Sequence, residues 1–600
     1  MKPPLTRRQF HQSFGVQTVG AASLIGLLPN RASVFGQEKR IEVSGRKSQR
    51  IATGANVAAT VHPLASQAAL QVFRQGGNAI DSAIAAALCL GVVDGHNSGI
   101  GGGCLMLIRT AAGAIHAIDG RETAPAAAFE KMYVRNGKPV AELSQTGSLA
   151  CAVPSQIAAL KLAHDKLGVL NWGSLFEPAI DAAANGYAIG AATHNAIASE
   201  RADLAKFEAS RSVLLKPDGS PPKIGDILKQ TDLANTLRQI AINGTAWFYQ
   251  GDFAKQTVEY LEKHAGLMSL ADFANYKAIE RTCLRTNYRE YEVIGFPTPS
   301  SGGIHIAQML NMLSNFDVAK IHSRSKGEFF HLLCECMKRA FADRAHWLGD
   351  GDFVDVPKFL VDPAYAASLA SQIRLDHAST GIEHGNTLGG VAHDESKKHT
   401  THLATADSLG NWVALTSTVN TTWGCKVMIP GTGVMLNNQM DDFSISPGVP
   451  NAFGLIGSEA NAIAPNKRPL SSMSPTIVLA RDGNPFLSCG AAGGPKIINA
   501  TLQNIVRCVD LHESIELAIA SARLHQQWQP NIVYHEPNLG GVRHPVSDGD
   551  TSSEASKHLE KLGHPLKVSN SLAIAQGIQQ KGNGLLAVSD PRTDGESVSW

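Results

Sequence analysis

Two apolar runs separated by a single turn stand out along this chain. Thr401-His402-Leu403-Ala404-Thr405-Ala406 and Trp412-Val413-Ala414-Leu415-Thr416-Ser417-Thr418-Val419 are rich in β-branched and apolar residues. Asp407-Ser408-Leu409-Gly410 between them carries turn chemistry, so the segment predicts a β-hairpin. Folded about that turn, Thr400 falls opposite Ser417, or opposite Thr418 if Gly410 adds a one-residue bulge. Residues 78–93 are alanine-rich and apolar on most faces, predicting a buried helix too short to span a bilayer comfortably. Gly99-Ile100-Gly101-Gly102-Gly103 then leads into Cys104-Leu105-Met106-Leu107-Ile108, a run typical of a buried strand. From residue 150 to about 341 the periodicity is largely helical, as in 233–240 and 328–341. Between 371 and 399 the composition turns polar and glycine-rich, ending in Asp394-Glu395-Ser396-Lys397-Lys398, which predicts an exposed flexible loop.

The chemistry of the hairpin depends on its first residue. An internal Thr400 is an ordinary strand threonine. Freed by a cut between His399 and Thr400, it would carry a hydroxyl nucleophile and an α-amino base on one residue, and such an amine titrates near pH 8. A polar loop ending at His399 is a reasonable place for the cut.

Six hundred residues are enough for two lobes or one large intertwined unit. Lys and Arg number 53 against 52 Asp and Glu, and no basic block would track a phosphate backbone, which argues against a nucleic-acid partner. Nine scattered cysteines with no repeated CxxC support neither a zinc site nor a dense disulfide framework, and buried free thiols are expected. Thr6-Arg7-Arg8-Gln9-Phe10 is a twin-arginine pattern, followed by a weakly apolar run over 16–28 and Pro29. It predicts export to the periplasm or beyond, with a signal segment ending near Gly36, and leaves that segment as the one candidate membrane anchor. The twin-arginine route carries folded proteins, so thiols could be buried while still reduced.

Further stretches offer recognition chemistry. Asn420-Thr421-Thr422-Trp423-Gly424 and Leu436-Asn437-Asn438-Gln439-Met440-Asp441-Asp442-Phe443 group amides and carboxylates that suit an ammonium, Asp442 by charge and Asn420 and Gln439 through carbonyl oxygens. Arg468-Pro469-Leu470-Ser471-Ser472-Met473-Ser474-Pro475-Thr476 offers hydroxyls and backbone donors for a carboxylate. Gly490-Ala491-Ala492-Gly493-Gly494-Pro495-Lys496 lacks the Gly-Lys-Ser/Thr ending of a phosphate loop. Two adjacent glycines can instead aim backbone N–H groups at an oxyanion. The glycines at 99–103 precede a strand rather than a helix, which rules out a dinucleotide fingerprint. His393, Asp394, Glu395, His399 and His402 match no zinc spacing, so no catalytic metal or other cofactor is expected.

Taken together, these residues resemble the γ-glutamyltransferase family, also called glutathione hydrolases, among the N-terminal nucleophile hydrolases. The resemblance rests on the glycines at 99–103, Asp119-Gly120-Arg121-Glu122, Pro299-Ser300-Ser301-Gly302-Gly303-Ile304-His305, Ala342-Asp343-Arg344 and Ser589-Asp590-Pro591-Arg592. It rests most of all on Thr400-Thr401-His402 and the stretches 436–443 and 469–476. It implies a four-layer αββα sandwich, α/β (α+β) in class, built jointly by a large subunit over 37–399 and a small catalytic subunit over 400–600. These would form a heterodimer after the precursor cuts itself before Thr400. It also implies that Thr400 attacks the γ-glutamyl amide of glutathione or a related compound, and that water or an acceptor amine resolves the acyl-enzyme.

By the same resemblance Thr418 is the second threonine and Gly493 and Gly494 form the oxyanion hole. Arg121 would hold the donor α-carboxylate with Ser471 and Ser472, while Asn420, Gln439 and Asp442 surround its α-amine. Many bacterial members carry a lid tyrosine that bonds the asparagine matched by Asn420; here Asn451-Ala452-Phe453-Gly454 puts Phe453 in the lid, which can cover the site without that bond. Two alternatives remain: an acylase of the same fold acting on a glutaryl β-lactam or on poly-γ-glutamate, and an uncleaved binding homologue. A glutaryl group has no amine for Asp442 to hold.

Overall fold

The computed structural model describes residues 50–382, 399–543 and 552–600. Two seven-stranded sheets, antiparallel throughout, form its centre. The first runs Glu596–Ser599, Val57–Thr60, Thr401–Ala406, Trp412–Thr418, Gly103–Arg109, Ile115–Gly120, Ile279–Arg281. The second runs Ile51–Gly54, Gly584–Ser589, Ile574–Lys581, Pro485–Ala492, Thr476–Leu479, Tyr291–Gly295, Leu284–Tyr288. Both sheets thus mix strands from before and after Thr400, as joint construction by two subunits requires.

Alternate side chains of the two sheets meet in a dry layer that includes Leu105, Leu107, Trp412 and Ala414 from one side and Ile294, Ile477, Ile578 and Ala587 from the other. The outer face of the first sheet is covered by helices Pro63–Arg74, Ala79–Val93 and Gln156–Leu167. That of the second is covered by Gly302–Leu313, Lys496–Val509 and Ile515–Ala520, with Lys326–Trp347 packed against Gly302–Leu313. Helix, sheet, sheet, helix is the expected four-layer arrangement.

The hairpin has the bulged register. Thr401 pairs with Ser417 and Ala406 with Trp412, so the register runs on to set Thr400 across from Thr418. The turn at its far end holds this register: Gly410 sits at φ 96°, a left-handed conformation that suits glycine, and Asp407 Oδ1 accepts from the amides of Leu409 (3.0 Å) and Asn411 (2.9 Å). Asp407 Oδ2 also accepts from Ala79 N at 2.9 Å, and Thr405 Oγ1 donates to Ala79 O at 2.7 Å. These bonds fix the first turn of the Ala79–Val93 helix to the hairpin. That helix starts in a capping box, with Asn78 Oδ1 accepting from Asp81 N and Asp81 Oδ2 accepting from Asn78 N, a motif that contributes ~1 kcal/mol. It has no polar face because every residue but Gly91 is buried.

The glycines at 99–103 serve close packing. A Cβ on Gly102 would lie 2.1 Å from Thr418 O, and one on Gly101 2.0 Å from Met435 O, so only glycine lets these backbones approach. The stretch 150–341 is less uniformly helical than its periodicity predicts: Ile279–Arg281, Leu284–Tyr288 and Tyr291–Gly295 are strands, recruited by cross-strand pairing at the edges of the two sheets. The described residues fall within one unit, Ser48–Trp600, which answers the choice between two lobes and one intertwined body. The twin-arginine segment through Gly36 and most of the polar stretch before His399 lie outside the described residues. No described helix is long and apolar enough to cross a membrane.

Candidate active site

Thr400 and Thr418 meet through their side chains, Oγ1 to Oγ1, at 2.9 Å in a buried setting. Thr418 Oγ1 also accepts from Asn420 N at 2.9 Å, and Asn420 Nδ2 donates to Asn438 O at 2.9 Å. Asn420 reverses the chain just past the strand end at φ 81°. The threonine pair is therefore fixed from both sides, by the sheet ladder and by the loop that follows it. Thr400 itself sits at φ 86°, which a β-branched residue rarely adopts and which costs on the order of 1–3 kcal/mol. The preceding side chain is held too, with His399 Nδ1 2.9 Å from Thr422 Oγ1.

A buried charge cluster connects to this pair through Asn420, which bonds Asn438 O, and Gln439, the next residue in the chain. Arg121, wholly buried after strand Ile115–Gly120, donates Nη1 to Gln439 Oε1 at 2.6 Å and Nε to Pro469 O at 3.0 Å, and pairs through Nη2 with Asp442 Oδ2. Burial raises the Asp442 carboxyl, while Arg121 and then Arg344 pull it back down. A guanidinium beside a carboxylate presents a positive and a negative pole side by side. An α-amino acid head group carries the complementary poles, carboxylate and ammonium, so it can exchange into this pair pole for pole.

Ser471 is anchored by its backbone, which accepts from Ser301 N at 2.8 Å and donates to Pro299 O at 2.8 Å; Ser472 is partly exposed next to it. The Arg121–Pro469 bond ties this serine loop to the charge cluster. Gln439 Oε1, expected from sequence to face an ammonium, accepts from Arg121 in this arrangement.

Strand Pro485–Ala492 delivers Gly493 and Gly494, at φ 133° and 60°. Among the described residues neither amide donates to a protein acceptor, leaving two adjacent N–H groups at one turn. The Phe453 ring ties this turn to His399. It packs 5.8 Å from the His399 ring, centroid to centroid, and a Cβ on Gly494 would lie 2.7 Å from it. The loop bearing Phe453 is pinned by Asp441 Oδ2, which accepts from Ala452 N at 3.0 Å, and by Asn451 Oδ1, which accepts from Phe453 N at 3.0 Å.

Two residues quoted only as part of family stretches acquire a place here. Glu122 is fully buried 3.5 Å from Arg121, neither carboxylate oxygen has a hydrogen-bond partner among the described residues, and burial raises its pKa to about 7. Arg344 is buried with one bond, Nε to Ser301 Oγ at 3.3 Å; burial lowers its pKa to about 10, and Asp442 opposes the shift. No local signal singles them out, since Glu122 follows Asp119 and Arg121, and Arg344 stands among Lys338, Arg339, Asp343 and His346.

The described residues contain one cluster with metal-ligand composition: His331, Glu335 and His564. His331, Glu335 and His564 Nε2 are held in other bonds. His331 Nε2 lies 2.7 Å from Arg374 O and therefore carries the proton, so His331 Nδ1 accepts from His564 Nε2 at 2.7 Å. Glu335 accepts from Lys338 at 2.9 Å and Arg339 at 2.8 Å, two cations that would repel a metal ion. His402, from the other histidine group, is a buried strand residue bonded to Thr416 Oγ1 at 2.9 Å, and His393, Asp394 and Glu395 lie outside the described residues.

Comparison with known proteins agrees with this architecture. The chain is 40% identical over 539 residues to the glutathione hydrolase proenzyme of Escherichia coli (strain K12), covering 89% of this chain and 90% of the relative. Among solved structures it superposes on a cephalosporin acylase from Bacillus halodurans with a TM-score of 0.79 at 23% identity, over 96% of this chain and 99% of that one, a likeness of fold. It also superposes on Helicobacter pylori gamma-glutamyltranspeptidase with a TM-score of 0.52 at 36% identity, over 53% of this chain and 91% of that one. The family model for gamma-glutamyltranspeptidase matches residues 65–600, and the chain belongs to that family.

Proposed function

We propose that this protein is an exported γ-glutamyl hydrolase/transferase that cleaves glutathione and related γ-glutamyl amides after cutting itself between His399 and Thr400. The observation that carries the reading is the Thr400–Thr418 hydroxyl pair connected through Asn420, Asn438 and Gln439 to the Arg121–Asp442 ion pair. Relatives of similar length named glutathione hydrolase proenzyme support both the substrate and the processing.

The steps follow from the residues. Cutting the His399–Thr400 bond removes the carbonyl that makes the φ of Thr400 costly and frees its amine. That amine takes the Thr400 hydroxyl proton as the oxygen attacks the γ-amide carbon. The amides of Gly493 and Gly494 receive the negative charge on the former carbonyl oxygen, and each such donor contributes roughly 3 kcal/mol to the transition state. The proton passes to the departing amine, leaving a γ-glutamyl ester on Thr400. Water or an acceptor amine, deprotonated by the same α-amine, resolves the ester. Arg121 with Ser471 and Ser472 holds the α-carboxylate, and Asp442 with Asn420 and Gln439 surrounds the α-ammonium, at about 1.5–3 kcal/mol per charge-assisted bond. The twin-arginine segment delivers the folded precursor across the inner membrane.

Glutamate release from glutathione, compared with release from the matching glutaryl amide, tests the reading. A preference of at least tenfold for the γ-glutamyl donor is expected, because only it has an ammonium for Asp442. Equal or inverted preference would shift the assignment to a glutaryl acylase.

A further inference from the structure

Cys151 and Cys425 face each other in the interior with their sulfur atoms 3.3 Å apart. Both are free thiols, 2% and 0% exposed. Among the nine cysteines, all of them described, no other pair comes within sulfur hydrogen-bonding range. Cys151 follows the short turn Ser148–Ala150, and Cys425 follows Gly424, itself at φ 50°. The two backbones are already joined, since Gly147 N donates to Cys425 O at 2.9 Å. A disulfide needs an S–S separation of about 2.05 Å, so closing it asks each sulfur to move by well under 1 Å, within reach of modest side-chain rotation. Burial raises the Cys151 thiol well above its ordinary value, and Cys425 adds to the shift, so Cys151 stays a thiol while the fold is closed.

The two cysteines lie on opposite sides of the His399–Thr400 bond. We propose that Cys151 and Cys425 form a disulfide that covalently joins the two subunits of the processed protein. The bond itself does not depend on processing; its role as a link between two chains rests on the self-cleavage proposed above. The oxidant is a second disulfide, R–S–S–R, met in an oxidising compartment after export. During a local opening, one cysteine thiolate attacks that disulfide and expels one R–S⁻. The other cysteine thiolate attacks the resulting mixed disulfide and expels the second. The balance is Cys151–SH plus Cys425–SH plus R–S–S–R giving Cys151–S–S–Cys425 plus two R–SH. The two cysteines are oxidised, the added disulfide is reduced, and both thiol protons end on the released thiols.

The position gives the bond a consequence. Cys425 ends the loop that starts at Asn420, whose amide holds Thr418, while Cys151 belongs to the segment before the cut. Once the chain is cut, only non-covalent packing opposes separation of the subunits. A bond here would keep this loop, and with it the threonine pair, on the large subunit under dilution or denaturing stress.

The test uses the full-length protein, purified without reductant, equilibrated with excess oxidised glutathione and then alkylated under denaturing conditions. Peptide mapping is expected to find Cys151 linked to Cys425 and the other cysteines alkylated. Non-reducing denaturing electrophoresis is expected to show one band of combined mass that divides into two with dithiothreitol. Cys425→Ala and Cys151→Ala should each give two bands without reductant. Alkylated Cys151 and Cys425 after the equilibration, or either one joined to glutathione or to a different cysteine, would overturn the proposal. A single band that persists with reductant reports failure of self-cleavage instead; the linked peptide would then still establish the bond, but its role as a subunit link would fall.

Discussion

Replacing Thr418 with Val removes one hydroxyl while keeping the β-branched shape. That hydroxyl does two things in the structure: it bonds Thr400 Oγ1 at 2.9 Å and accepts from Asn420 N at 2.9 Å. Losing the acceptor leaves a buried amide unpaired, which costs roughly 1–3 kcal/mol of stability. The effect on rate has a different origin. As its proton leaves for the α-amine, Thr400 Oγ1 takes on alkoxide character, so its bond from Thr418 becomes charge-assisted, at about 1.5–3 kcal/mol. That corresponds to a fall in kcat of about 10–150-fold with KM little changed, because the γ-glutamyl head group is held elsewhere. Thr418→Ser keeps the hydroxyl and should stay within about threefold of wild type. Steady-state kinetics on a γ-glutamyl amide, with melting temperatures for both variants, separates rate from stability. A folded Thr418→Val with kcat within twofold of wild type would refute an active role for the threonine pair.

Three other outcomes follow from the geometry. Asp442→Asn should raise KM for γ-glutamyl donors by about 10–100-fold while sparing the appearance of a fragment starting at Thr400; unchanged KM would remove the ammonium contact. Gly494→Ala places a Cβ 2.7 Å from the Phe453 ring at φ 60°, and should lower kcat on the order of 100-fold; near-normal kcat with a normal melting temperature would remove this turn from the oxyanion site. Glu122 has its pKa raised from 4.5 to about 7, so the folded state favours its protonated form: the carboxyl is harmless below pH 4.5 and increasingly destabilising as pH rises to 7. Glu122→Gln should therefore stabilise the protein above pH 7 by on the order of 3 kcal/mol relative to its effect at pH 4, and a pH-independent difference in unfolding free energy would contradict this.

The elements visible in the sequence were those whose signal is local. The hairpin and its bulged alternative followed from strand alternation and Gly410, and the register then brought Thr400 to Thr418 without any long-range information. The buried helix starting at Ala79 was equally plain, because an all-apolar helix has nowhere to go but a core. Hidden from the sequence were contacts between segments hundreds of residues apart. The hold of Asp407 on Ala79, the bond of Arg121 to Gln439, and the approach of Cys151 to Cys425 leave no periodic trace. The glycines at 99–103 lead into a strand, as the sequence suggests, but their purpose, admitting the Thr418 and Met435 carbonyls, required the packed structure. The strands within the helical stretch 279–295 were missed for the same reason, since their pairing partners lie far away in sequence.

The central claim is that Thr400 becomes an N-terminal nucleophile. Intact-mass and N-terminal sequencing of purified wild type beside Thr400→Ala tests it most directly. A wild-type fragment beginning at Thr400 and spanning 400–600, absent from the variant, is the predicted result. An intact wild-type chain, or normal cleavage in Thr400→Ala, would contradict it.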